Sequence, residues 1–150
     1  MTARVGHACR SELETAVCTE MGRQGVEHEH RSLRFRVQDD RDGTSKYEPA
    51  IVARRGSILF VVEPLRSLQA AAVDRLSRFL EQHSPEIVLV VVTQDATRDR
   101  VPQEAYDEIY AATEIEKLTT RIRDQDPEGI VRPFLKPPPR DAKRPRDTTK

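Results

Sequence analysis

His28 and His30 alternate with Glu27 and Glu29, so on an extended chain both imidazoles point the same way. A His-X-His pair on one strand face can ligate zinc or copper. No third ligand cluster is evident near it in sequence, and an exposed polar strand start is the plainer reading. Arg34 and Arg36 continue the same parity. His28, His30, Arg34 and Arg36 therefore read as a basic stripe suited to a phosphate backbone. An edge strand charged against pairing gives the same pattern. Cys18 offers a nucleophile, but no base is placed beside it, and a small helix residue is the simpler reading. With Cys9 and Cys18 both on the first helix, roughly 13 Å of axial rise separates them. A disulfide needs Cα atoms within about 7 Å. Two thiols and a reducing compartment are expected.

These residues need elements to hold them. Ser11 followed by Glu14 fits a capping box and opens a helix whose inner residues are Leu13, Ala16, Val17 and Met21, with Gly22 or Gly25 as its stop. Residues 26–37 read as one half-buried strand, with Leu33, Phe35 and Val37 on the inner face. Residues 39–43 form a polar turn. Strands are expected over Tyr47–Ala53 and Ile58–Glu63, joined by a turn at 54–57, and over Glu86–Thr93. The continuous apolar run of Ile58–Val62 suits a central strand covered on both faces. A helix is expected over Arg66–His83, burying Leu68, Ala72, Leu76, Phe79 and Leu80. Residues 102–110 read as a short helix carrying Tyr106 and Tyr110. Thr113 with Glu116 reads as a second capping box, opening a helix to Asp124 that Pro127 and Gly129 end.

The order is α-β-β-β-α-β with further C-terminal helices, an α/β class. The 150 residues suit a flexible arm over 1–10, one domain over 11–132, and a disordered basic Pro-rich tail over 133–150. From Lys136 onward six basic residues face Asp141 and Asp147, a net +4, which leaves the rest of the chain at −4 because Lys and Arg balance Asp and Glu at 25 each. Such a tail can tether nucleic acid or an acidic partner, and a solvated terminus looks the same. No apolar leader core is visible, and the run Ile87–Val92 is too short to span a bilayer. A cytoplasmic protein with no membrane partner is expected.

The order of elements and the stretch Tyr47-Glu48-Pro49-Ala50-Ile51-Val52-Ala53, Arg54-Arg55-Gly56-Ser57, Ile58-Leu59-Phe60-Val61-Val62-Glu63-Pro64-Leu65 resemble the PD-(D/E)XK nucleases and Holliday-junction-resolvase-like proteins over roughly residues 11–93. The resemblance implies a restriction endonuclease-like core, a mixed sheet flanked by helices. It also implies a centre in which strand carboxylates hold Mg²⁺, the metal activates water and stabilises phosphate charge, and a lysine assists. Glu14 matches the family's early-helix glutamate, with Glu12 as the alternative, and Glu63 matches the second strand carboxylate. Ala50 stands where the aspartate belongs, and Leu65 where the lysine belongs. Glu14 and Glu63 remain as weak metal ligands.

Migrated groups are the alternative. Lys46 and Glu48 share the parity of Ala50 on one strand, with Glu48 displaced by roughly 6.6 Å, and Arg66 is a further cation near the strand end. Three functions follow. The first is a nuclease-fold protein that no longer cleaves and binds nucleic acid or scaffolds, needing no cofactor; its nucleic-acid contacts would be His28, His30, Arg34, Arg36 and Lys46. The second is an active Mg²⁺-dependent endonuclease using Glu14, Glu48 and Glu63 with Lys46 or Arg66. The third is a protein-interaction domain with no nucleic-acid role. The expected partner is accordingly DNA or another protein, with a homodimer as a further option.

Overall fold

Apolar residues of both parities occupy the central strands, so those strands must be covered on both sides. A computed structural model, which describes residues 9–38 and 43–126, has that arrangement. The elements are α1 (Glu12–Gln24), β1 (Glu29–His30), β2 (Phe35–Gln38), β3 (Thr44–Tyr47), β4 (Ile51–Arg55), β5 (Ile58–Leu65), α2 (Ala70–Gln82), β6 (Ile87–Thr93), β7 (Glu108–Ala111) and α3 (Ile115–Arg123). A five-stranded mixed sheet runs β1-β4-β5-β6-β7. The β1/β4 and β4/β5 pairs are antiparallel, and β5/β6 and β6/β7 are parallel. Helix α2 is the crossover that a parallel β5/β6 pair requires. Among the described residues strands β2 and β3 pair only with each other, as a separate hairpin.

Parity divides the core into two layers. Ile51, Ala53, Phe60, Val62, Val90 and Val92 face α1 and α3, meeting Leu13, Val17, Met21, Ile115, Leu118 and Ile122. Val52, Leu59, Val61, Leu89 and Val91 face α2 and the hairpin, meeting Leu76, Phe79, Val37 and Tyr47. Phe79 anchors the second layer: the rings of Phe35 and Tyr47 stand 4.9 Å from it and His83 5.0 Å. The fold is therefore α/β, a mixed sheet flanked by helices on both faces.

Several local expectations are corrected. Residues 26–37 are not one strand. Arg31 takes a left-handed backbone, φ 52°, and turns the chain from β1 on the main sheet toward β2 on the hairpin. The inner alternation of Leu33, Phe35 and Val37 survives, packed on the α2 layer. Tyr47–Ala53 is likewise broken, since Glu48, Pro49 and Ala50 lie between β3 and β4. Gly25, left-handed at φ 77°, caps α1, while Gly22 lies inside it. Ala16 is exposed, and the buried fourth residue of α1 is Glu14. Helix α2 starts at Ala70, four residues later than expected.

Residues 102–110 hold a 3-10 turn, Gln103–Ala105, and then β7 rather than a helix, because that segment completes the sheet beside β6. Thr113 and Glu116 form no capping box. The Ala111 amide donates to Glu114, and the Thr113 hydroxyl donates to Asp95. No described helix is long and apolar enough to cross a membrane. The expectations for residues 1–8, for most of the 39–43 turn, for the stop at Pro127 and Gly129, and for the basic tail lie outside the described residues.

Candidate functional site

The site begins where β5 outruns β4. Ile51 is paired with Val62, so Glu63, Pro64 and Leu65 extend beyond the end of β4 and, among the described residues, pair only with β6. The Leu59 amide donates toward β6, to Glu86. Alternation then points the amides of odd residues at β6 and those of even residues at β4. Pro64 falls on the β4 side, past the last β4 partner, where a missing N–H costs no ladder bond. The resulting notch opens into a cleft of about 390 Å³ lined by residues that include Arg10, Glu14, Arg31, Ala50, Glu63 and Arg66.

Glu14 is buried on the inner face of α1, at 1% exposure. The Ser11 hydroxyl accepts the Glu14 amide, which is half of the expected capping box. The Glu14 carboxylate does not return to Ser11. It accepts the Arg10 amide at 3.1 Å, two guanidinium bonds from Arg31 at 2.8 and 2.6 Å, and the Nδ1–H of His30 at 2.6 Å. Burial alone would raise its pKa. The bonds from Arg31 and His30, then the Arg10 amide and the Arg31 charge, outweigh burial and hold it below the usual carboxylate range.

Glu63 is tuned the other way. Its Oε1 accepts from the Tyr47 hydroxyl at 2.8 Å and from the Ala50 amide at 3.3 Å. Burial dominates and pushes its pKa up to about 7, with Glu14 adding to the rise, against the bonds from Tyr47 and Ala50 and the charge of Arg31. Burial, followed by the charge of Glu63, pushes the Tyr47 hydroxyl well above its ordinary value.

The cleft thus unites Glu14, Glu63, Ala50, Leu65 and Arg66. It does not include Glu48 or Lys46. Glu48 sits in the break after β3 and pairs with Arg34 at 3.2 Å, and Lys46 is exposed on the hairpin opposite Arg36. The shared parity of Lys46, Glu48 and Ala50 fails because no single strand carries all three. The stripe of His28, His30, Arg34 and Arg36 fails for the same kind of reason. His30 turns inward to Glu14, whereas Arg34 and Arg36 lie exposed beyond the Arg31 turn.

Two cationic members, Arg10 and Arg31, were not expected at the site. Arg31 directly follows the His-X-His pair, but its bidentate bond to Glu14 depends on a left-handed backbone that residue type does not announce. Another cluster was also hidden. Cys9 precedes α1 rather than lying on it, so the estimate of roughly 13 Å along a helix does not apply. Ligand atoms of Cys9, Cys18 and His30 all lie within 4.8 Å of one another, and the two cysteines form no disulfide.

No protein-family model matches the chain, and no curated protein is significantly similar to it.

Proposed function

We propose that this chain is a nuclease-fold protein with a degenerate centre, which holds nucleic-acid phosphate in the Glu14–Glu63 cleft and does not cleave it. One observation carries the reading. Arg10, Arg31 and Arg66 line a cleft whose two carboxylates are offset, Glu14 by four hydrogen bonds and Glu63 by a proton retained to about pH 7. A concave site with an excess of guanidinium charge attracts phosphate oxygens. The place of Ala50, whose amide reaches Glu63 across the strand ends, supports the restriction endonuclease-like resemblance.

The side chains present do not fit Mg²⁺. That ion needs near-octahedral oxygen ligands. Glu14 spends both oxygens on Arg10, Arg31 and His30, burial raises the Glu63 pKa to about 7 and so disfavours its charged form, Ala50 contributes no side-chain oxygen, and Leu65 contributes no ammonium.

The test is duplex and single-stranded DNA binding by the purified chain across a salt series, in EDTA. Arg31 is committed to Glu14, so the two remaining arginine–phosphate contacts, Arg10 and Arg66, predict a slope of log K against log salt of about −2 on duplex. Arg66→Ala lowers it by about 1. Binding that ignores both salt and Arg66 would point to a protein-interaction domain instead. Cleavage of plasmid or junction DNA with Mg²⁺ or Mn²⁺, abolished by Glu63→Ala, would show an active endonuclease.

A further inference from the structure

We infer that Cys9, Cys18, His28 and His30 form a structural Zn²⁺ site that clamps the segment before α1 to the helix and to β1. The observation is independent of the DNA-binding reading. Ligand atoms of Cys9, Cys18 and His30 come within 4.8 Å of one another although they arrive from three separate places in the fold. The His28 Nε2 stands 3.3 Å from the Cys18 Sγ, and the two imidazole rings are 5.2 Å apart, edge to face. In a tetrahedral site with Zn–S near 2.3 Å and Zn–N near 2.0–2.1 Å, neighbouring ligand atoms are roughly 3.3–3.8 Å apart. The ligand atoms of Cys9, Cys18 and His30 need to tighten by about an ångström to meet that geometry, and His28 joins them through its 3.3 Å approach to Cys18. Two thiolates with two imidazoles form a donor set that favours Zn²⁺ over the hard cations.

The outer bonds already orient the rings for metal. His30 gives its Nδ1–H to the Glu14 carboxylate at 2.6 Å, which places the lone pair of the neutral ring on Nε2. The His28 Nδ1 lies 2.9 Å from the Val26 carbonyl, an acceptor, so its lone pair also falls on Nε2, the atom beside Cys18. A carboxylate or a carbonyl behind each ligating histidine is the usual support of a zinc-bound imidazole. Glu14 also binds the Arg10 amide, next to Cys9, so one buried carboxylate braces two of the segments that supply ligands.

The experiment uses the full, tag-free chain, reduced and stripped of metal, and titrates it with Co²⁺ and then with Zn²⁺. The expected result is one equivalent of Co²⁺ with intense tetrahedral ligand-field bands and a near-ultraviolet thiolate-to-cobalt band, both removed by one equivalent of Zn²⁺. His28→Gln is expected to weaken Co²⁺ at least tenfold. The Cys9→Ser/Cys18→Ser double variant is expected to lose the thiolate band while its far-ultraviolet dichroism reports folding. Absence of the thiolate band in wild type at excess Co²⁺ overturns the site without recourse to any variant. An unchanged affinity in His28→Gln overturns the four-ligand form. Quantitative Cys9–Cys18 disulfide formation in the presence of saturating Zn²⁺ overturns it as well, since bound thiolates resist oxidation.

Discussion

Glu63→Gln should make the protein more stable, and only above a particular pH. The wild-type carboxyl titrates near 7 when folded, against an ordinary 4.5. A raised carboxylate pKa means that the folded state binds the extra proton. Its stabilising contribution is complete below about pH 4.5 and is lost as the pH rises through about 7. The difference between about 7 and the ordinary 4.5 corresponds to about 3 kcal/mol. Glutamine keeps an acceptor for the Tyr47 hydroxyl and the Ala50 amide but cannot ionise. Urea unfolding of both proteins should give similar midpoints near pH 5 and a gap in favour of Glu63→Gln that grows to about 3 kcal/mol by pH 8 or so. A gap that stays constant between those limits, or that favours wild type at the alkaline end, would refute the placement of a desolvated Glu63 in the cleft.

Tyr47→Phe removes a bond that lowers the Glu63 pKa, so a carbon-13 carboxyl titration should place its midpoint above about 7; an unmoved midpoint rejects the contact. Arg31→Ala strands the buried Glu14 carboxylate and should cost about 3–5 kcal/mol in urea unfolding at neutral pH. Because the Glu14 pKa is lowered, that cost should shrink as the pH falls below the ordinary 4.5 toward the folded value. A cost unaffected by acid argues against the ion pair. Phe79→Ala empties the centre of the α2 layer, where Phe35, Tyr47 and His83 meet the ring, and should cost about 3–5 kcal/mol. A loss below about 1 kcal/mol would mean that the layer repacks.

The parts of this fold that follow from local pattern could be read from the chain. Double parity in Ile58–Val62 and in Ile87–Val92 announces strands covered on both faces, and both are central strands. Ser11 marks the start of α1 because a cap is a contact between near neighbours. What escaped reading depends on distant partners. Residues 104–110 include good helix formers, but β6 offers an open edge, and tertiary pairing overrides propensity. Arg31 is not a residue type that signals a left-handed turn, so the division of 26–37 between two sheets was hidden, and the stripe that assumed one undivided strand failed with it. Glu14, Glu63 and Ala50 line one cleft, and Glu48 does not join them. The approach of Cys9 to Cys18 needs the segment before α1 to lie back along the helix, and no spacing rule encodes that.

The brevity of β1 has a consequence for how copies of this chain meet at high concentration. Its register with β4 covers only His30 with Ile51 and Glu29 with Val52, after which β4 runs on through Ala53, Arg54 and Arg55. Among the described residues no further strand pairs with that stretch, and a strand margin of this kind is a template on which another molecule can add a strand and begin a fibril. Here that margin carries two guanidinium groups, and the Arg55 side chain closes back on the last carbonyl of α3, at Arg123. An incoming strand would have to bury or displace those charges, so the margin is guarded against intermolecular sheet growth by charge. Replacing Arg54 and Arg55 with valine would turn the same margin into an adhesive one.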